Sequence, residues 1–107
     1  MAQPVKLITA EETLVLSVGE SRFLYRRIRA AEKHNILQKY TVRGQIDQTA
    51  AAVEILRLCL KGWEGVQDGE GNEVAFATEL IEALPEMVLM QLEIAVISAS
   101  GETYKKN

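Results

Sequence analysis

Cysteine is nearly missing from this chain. Cys59 stands alone, so no intramolecular disulfide can staple the fold. It lies in the apolar run Ile55-Leu56-Arg57-Leu58-Cys59-Leu60 and reads as a small core residue, since no cationic His or helix N-terminus is legible beside it. Histidine is as scarce. With only His34 and Cys59 available, neither a Ser/His/Asp nor a Cys/His arrangement assembles. His34 sits among charged residues and reads as exposed. Long hydrophobic runs are lacking too. The longest, Met87 to Ile97, is broken by Gln91 and Glu93, whereas a membrane span needs about 20 apolar residues. The opening Met1-Ala2-Gln3-Pro4 has neither the basic start nor the apolar stretch of a signal peptide. The expected compartment is the cytoplasm.

Positive charge is absent from Glu64 to Glu102, a stretch with nine acidic residues and no Lys or Arg. The complement lies upstream. From Arg22 to Arg43 there are seven basic residues (Arg22, Arg26, Arg27, Arg29, Lys33, Lys39 and Arg43) against Glu32 alone. The net charge of −3 conceals this asymmetry. The simplest reading is two solvated faces of opposite sign. The sharper one is a dipolar subunit whose basic half meets the acidic half of a neighbour, or a phosphate backbone.

What the chain does have is enough apolar material for one core. At 107 residues and 48% hydrophobic composition, it predicts a single domain spanning 1–107, with an ordered core over about 5–99 and a polar, frayed tail over 100–107. Residues 13–18 and 21–26 alternate as strands around Gly19-Glu20, a two-residue loop with Gly first. Folding there sets Val18 against Ser21, Leu16 against Phe23 and Leu14 against Tyr25, which makes one apolar face. A helix starting at Ser21 is the rival reading of 21–28. A lone hairpin is marginal, and Val5-Lys6-Leu7-Ile8 is the candidate third strand.

Helices follow. The first runs from Ile28 to Tyr40, with Ile28, Ala31, Asn35 and Ile36 or Leu37 near one face. Thr41 to Ile46 is a connector. Asp47 caps an alanine-rich helix over 48–61, with Gly62 as its C′ glycine. A short helix spans 77–84. Pro85 opens the last, to about Ala99. Its core face holds Val88, Leu89, Leu92, Ala95 and Val96. Met90, Ile94 and Ile97 extend the apolar surface round the side. Periodicity fits two readings equally: a central core helix, or a surface too apolar for one small monomer to cover, which calls for self-association or a partner. The fold class is therefore α+β, an N-terminal hairpin packed on about four helices.

Between the second and third helices lies Gly62-Trp63-Glu64-Gly65-Val66-Gln67-Asp68-Gly69-Glu70-Gly71-Asn72-Glu73-Val74-Ala75-Phe76. Asp68, Glu70, Asn72 and Glu79 echo a calcium loop, but Glu73 occupies the position where that loop needs glycine. A phosphate loop is excluded as well, because no Lys-Ser or Lys-Thr follows the glycines. Val66-Gln67 and Glu73-Val74 can pair across the acidic turn. Trp63 and Phe76 are expected to anchor the turn's two ends, with Gly62, Gly65, Asp68 and Gly71 shaping it. No catalytic, cofactor-binding or metal-binding residues are assigned, and the chain is read as non-enzymatic.

The order of features resembles a group of short proteins of tailed phages and prophages. It is carried by Tyr25-Arg26-Arg27, Gly44-Gln45-Ile46-Asp47, Gly62-Trp63-Glu64-Gly65-Val66, the acidic turn Asp68 to Asn72, Phe76 and Leu84-Pro85. The resemblance covers roughly residues 13 to 97 and looks like a phage tail assembly chaperone or related virion-morphogenesis protein. It implies a non-catalytic adaptor in the cytoplasm of a bacterial host, binding phage tail proteins or itself, with no membrane contact. The partner-binding candidates are Arg22, Arg26, Arg27, Arg29 and Lys33 on the basic segment, and Met87, Met90, Ile94 and Ile97 on the last helix. The alternative is a small nucleic-acid-binding or regulatory module using residues 22–43, set against an acidic whole (pI ≈ 5.2).

Overall fold

The computed structural model describes residues 4–98 and 102–103. Strands β1 (Leu14–Val18) and β2 (Ser21–Tyr25) form the predicted hairpin, in the register Leu14↔Tyr25, Leu16↔Phe23 and Val18↔Ser21. The strand reading of 21–25 therefore holds over the helical one. Gly19 takes φ +60° in the turn, where glycine carries no Cβ penalty.

The third strand is not Val5–Ile8. That segment forms no strand, and Val5 and Leu7 are among the most exposed apolar side chains. Leu60–Glu64 (β5) pairs antiparallel with β2 instead, setting Trp63 against Phe23 and Tyr25 against Leu60. Leu60 and Trp63 are three residues apart, so a regular strand would point them to opposite faces. The register shifts between Leu24 and Tyr25. This bulges the partner strand at Lys61 and returns both Leu60 and Trp63 to the buried face. The displaced Lys61 reaches back to the Glu12 carbonyl and Thr13 Oγ1. Consequently the second helix, α2 (Gln48–Cys59), stops two residues earlier than predicted. Gly62 is not its C′ residue: Leu60 is already extended (φ −70°, ψ 135°), and the Arg26 N–H donates to the Cys59 carbonyl at 3.0 Å, drawing the chain into the sheet.

Glu102–Thr103 (β6) pairs with β1 and completes the order β5-β2-β1-β6. This stretch was expected to be frayed tail; the rest of 100–107 lies outside the described residues. The first helix, α1 (Ala30–Lys39), starts two residues later than predicted, with Arg29 as N-cap. Ile36 is its buried residue, whereas Asn35 is exposed and Ile28, also buried, precedes the helix. The connector after it is a miniature hairpin, β3 (Thr41–Val42) and β4 (Gln45–Ile46). Arg43 and Gly44 both have positive φ, 53° and 78°, as a type I′ turn requires. Asp47 caps α2 as predicted, accepting from the Ala50 N–H at 3.1 Å. The predicted short helix is a 3₁₀ segment, Thr78–Ala83. The last helix, α3 (Glu86–Ser98), buries Leu89, Leu92, Ala95 and Val96.

The core lies between the inner sheet face (Leu14, Phe23, Tyr25, Leu60, Trp63) and the helices, where Ile55, Leu56, Ile81, Leu92 and Val96 are fully buried. Cys59 is among them, and burial pushes its thiol up to about 11. The fold is thus α+β, a sheet packed on three α-helices and a 3₁₀ segment among the described residues.

Candidate functional site

The basic segment is largely consumed by internal pairing. Arg26 is buried, 8% exposed, and its guanidinium grips both Glu32 oxygens at 3.0 and 3.1 Å. Glu32 also accepts the Arg29 N–H at the start of α1. Its carboxyl is held below the usual range, chiefly by the Arg26 hydrogen bonds. Arg27 makes the same fork to Glu12, at 2.8 and 2.6 Å, and lowers that carboxyl too. Arg22 pairs with Glu64 across β2 and β5 at 3.2 Å, an exposed contact. Lys39 and Tyr40 both reach Glu54 Oε1, at 2.8 and 2.6 Å, which clamps α1 to α2. Arg26 and Arg27 are therefore fastenings between elements rather than a surface held ready for a partner. Arg29, Lys33 and Arg43 form no salt bridge among the described residues. Arg29 is exposed and donates from Nε to the Ile8 carbonyl at 3.1 Å.

The Gly-rich turn is built as a structural plug. Trp63 meets Phe23 edge-on at 6.1 Å and Phe76 edge-on at 5.0 Å. Its indole N–H donates to the Val74 carbonyl at 2.8 Å. The Val74 N–H donates to the Val66 carbonyl, and Gln67 bridges Glu73, so the turn closes as the spacing predicted. Asp68 Oδ1 accepts the N–H groups of Asn72 and Glu70, at 3.0 and 2.9 Å. Those two bonds lower its pKa, and they commit that oxygen to the turn itself. Gly65 and Gly71 take φ +74° and +86°. Gly62, grouped with them from sequence, is instead a strand residue opposite Leu24.

Four exposed apolar side chains gather on α3. Met87, Met90, Ile94 and Ile97 are 70%, 51%, 59% and 42% exposed. Their steps of three, four and three place them on one stripe, opposite Leu89, Leu92, Ala95 and Val96. The helix is thus apolar on two faces, only one of which the domain covers. A groove of about 290 Å³ flanks the stripe on the α2 side, over Ala52, Leu89 and Met90 and rimmed by Glu86 and Glu93. A second, of about 370 Å³, lies between β1 and the helix at Gln91 and Ile94. Burial alone pushes the Glu93 carboxyl above its ordinary range. No helix among the described residues is long and apolar enough to cross a membrane.

No family model, curated protein or solved structure matches the chain. The α3 stripe therefore carries the functional argument on its own geometry. The structure sets Met87, Met90, Ile94 and Ile97 on one exposed stripe of α3, apart from Trp63 and Phe76, which belong to the fold. Sequence reasoning missed the carboxylates that neutralise the basic segment. Glu12 lies 15 residues from Arg27 and Glu54 lies 15 from Lys39, so no local spacing rule pairs them. It also missed the β3–β4 hairpin, whose Val42 and Ile46 are exposed.

Proposed function

We propose that this protein is a non-catalytic, protein-binding adaptor of phage tail assembly, of the tail assembly chaperone kind. The observation that carries the reading is the apolar stripe of α3. A helix of 13 residues that fills the core with one face leaves Met87, Met90, Ile94 and Ile97 in water on the other. Contiguous exposed apolar surface of this sort marks contact with another protein, and methionine adapts its shape to varied partners. The resemblance in Tyr25-Arg26-Arg27, the Trp-Gly-acidic turn and Leu84-Pro85 supplies the biological setting.

The test is direct binding to purified tail-tube and tape-measure proteins. Binding is expected, and Ile94→Glu is expected to abolish it while leaving the thermal melt unchanged. Failure to bind either, together with salt-sensitive binding of duplex DNA, would overturn the reading in favour of a nucleic-acid module built on Arg29, Lys33 and Arg43.

A further inference from the structure

We infer that the β3–β4 hairpin of one copy docks in the groove between α2 and α3 of a second copy and receives that copy's hairpin in return, forming a reversible two-fold dimer. The hairpin projects from the domain. Every residue from Thr41 to Thr49 is exposed, Val42 at 68%, although a two-stranded ribbon is marginal without something to pack on. Its base is held firmly. The Asp47 N–H donates to the Tyr40 carbonyl at 2.9 Å, and Thr41 Oγ1 donates to the Leu37 carbonyl at 2.6 Å.

The tip is chemically out of place for a plain turn. A type I′ turn suits Asn-Gly, yet Arg43 holds its first position at φ 53°, where a long side chain is disfavoured. The Arg43 side chain makes no hydrogen bond or ion pair among the described residues. A strained cation that its own domain does not use points to a contact outside it.

The groove supplies the complement. Ala52, Leu89 and Met90 line it, and Glu86 and Glu93 stand at its rim. Neither carboxylate enters a salt bridge among the described residues. Val42 and Gln45 share one face of the ribbon. That face sets Val42 over the apolar floor while the adjoining Arg43 reaches a rim carboxylate. Position makes the exchange reciprocal. Gln48 and Thr49, which also line the groove, follow the hairpin directly, so finger and groove lie side by side at the same end of α2. A dyad beside that end carries each finger into the other copy's groove. Two such contacts bury less than the roughly 1,600 Å² of a standard stable interface, so the dimer is weak, on the order of micromolar or weaker. This inference does not rest on the tail reading, since the groove lies beside the α3 stripe and shares only Met90 with it.

Sedimentation velocity over a rising concentration series tests the pairing. A monomer–dimer equilibrium is expected, weakened by added salt. Arg43→Asn suits the turn better, so the thermal melt should hold or rise while dimerisation weakens roughly three- to tenfold, two exposed ion pairs being lost. Arg43→Glu should weaken it at least about tenfold, because like charges then meet twice. The double variant Glu86→Lys, Glu93→Lys should be weakened alike. Mixed with Arg43→Glu protein, it should recover the dimer: one contact keeps the native charges and the other has both reversed. A monomer at every concentration, a dimer indifferent to Arg43→Glu, no recovery on mixing, or assembly that grows past the dimer would each overturn the inference. A strict monomer that loses tail-protein binding on Arg43→Asn would also overturn it, assigning the hairpin to the tail protein. A dimer that binds no tail protein would overturn only the proposed function.

Discussion

Gly62 and Gly65 are three residues apart in sequence and answer to different constraints. Gly65 has φ +74°, and a Cβ built there would stand 2.8 Å from the Glu20 carbonyl oxygen, a backbone atom that cannot swing aside. Its own carbonyl accepts the Ser21 hydroxyl at 2.8 Å, fixing the Gly-rich turn to the β1–β2 turn. Gly62 has ordinary strand geometry, and its Cβ would meet Leu24 Cδ1 at 3.8 Å, a normal contact. Gly65→Ala should therefore destabilise by about 2 kcal/mol or more, from the left-handed backbone and the displaced turn together. Gly62→Ala should be neutral or stabilise by up to about 1 kcal/mol, since glycine within a strand costs about that much. Urea midpoints of the two variants check both signs. Sequence showed that this stretch needs glycine. It could not show which one, because the atom that excludes a side chain at Gly65 lies on the far hairpin.

At the scale of elements, legibility followed the pattern of each segment. The register of the β1–β2 hairpin was readable to the residue, and its strand ends to within one, because its alternation is regular and its turn begins with Gly. The third strand was not, for two reasons. The apolar run of α2 continues without interruption into Leu60, and the bulge at Lys61 breaks the alternation that would announce a strand. Val5–Ile8 has strand-like composition, yet no strand pairs with it among the described residues. Trp63 and Phe76 were legible as anchors because large aromatics flanking a polar glycine turn have few other ways to leave water. The structure adds that Trp63 joins three elements: β2 through Phe23, β5 through its backbone, and the returning arm of the turn through Phe76 and the Val74 carbonyl. Trp63→Ala should cost roughly 3–5 kcal/mol and release the turn. Hydrogen exchange should then report lost protection at Val74, whose N–H donates within the turn, before it reports loss in α1. Unchanged melting with lost partner binding would instead make Trp63 a contact residue.

Across the whole molecule, the two arginine–carboxylate forks make the fold acid-sensitive in a definite direction. Glu12 and Glu32 hold carboxyl groups whose pKa values are lowered in the folded chain, chiefly by hydrogen bonds from Arg27 and Arg26. A carboxyl with a folded pKa below its unfolded one binds its proton more readily when unfolded. Its contribution is therefore complete above the unfolded value, about 4.3, and is lost as pH falls through the lower folded one. Glu93 runs the other way. Burial raises its folded pKa, so its contribution is present below the unfolded value and lost as pH climbs through the folded one. Stability measured by urea unfolding should accordingly fall below about pH 4.5 as the two forks open. Glu32→Gln leaves the buried Arg26 guanidinium without a charged partner, and should cost about 1–2 kcal/mol at neutral pH while flattening the acid decline. Glu93→Gln should raise neutral-pH stability and leave the acid decline in place. A decline that survives Glu32→Gln at full steepness would show that other carboxylates, and not the fork joining β2 to α1, set the acid limit of the fold.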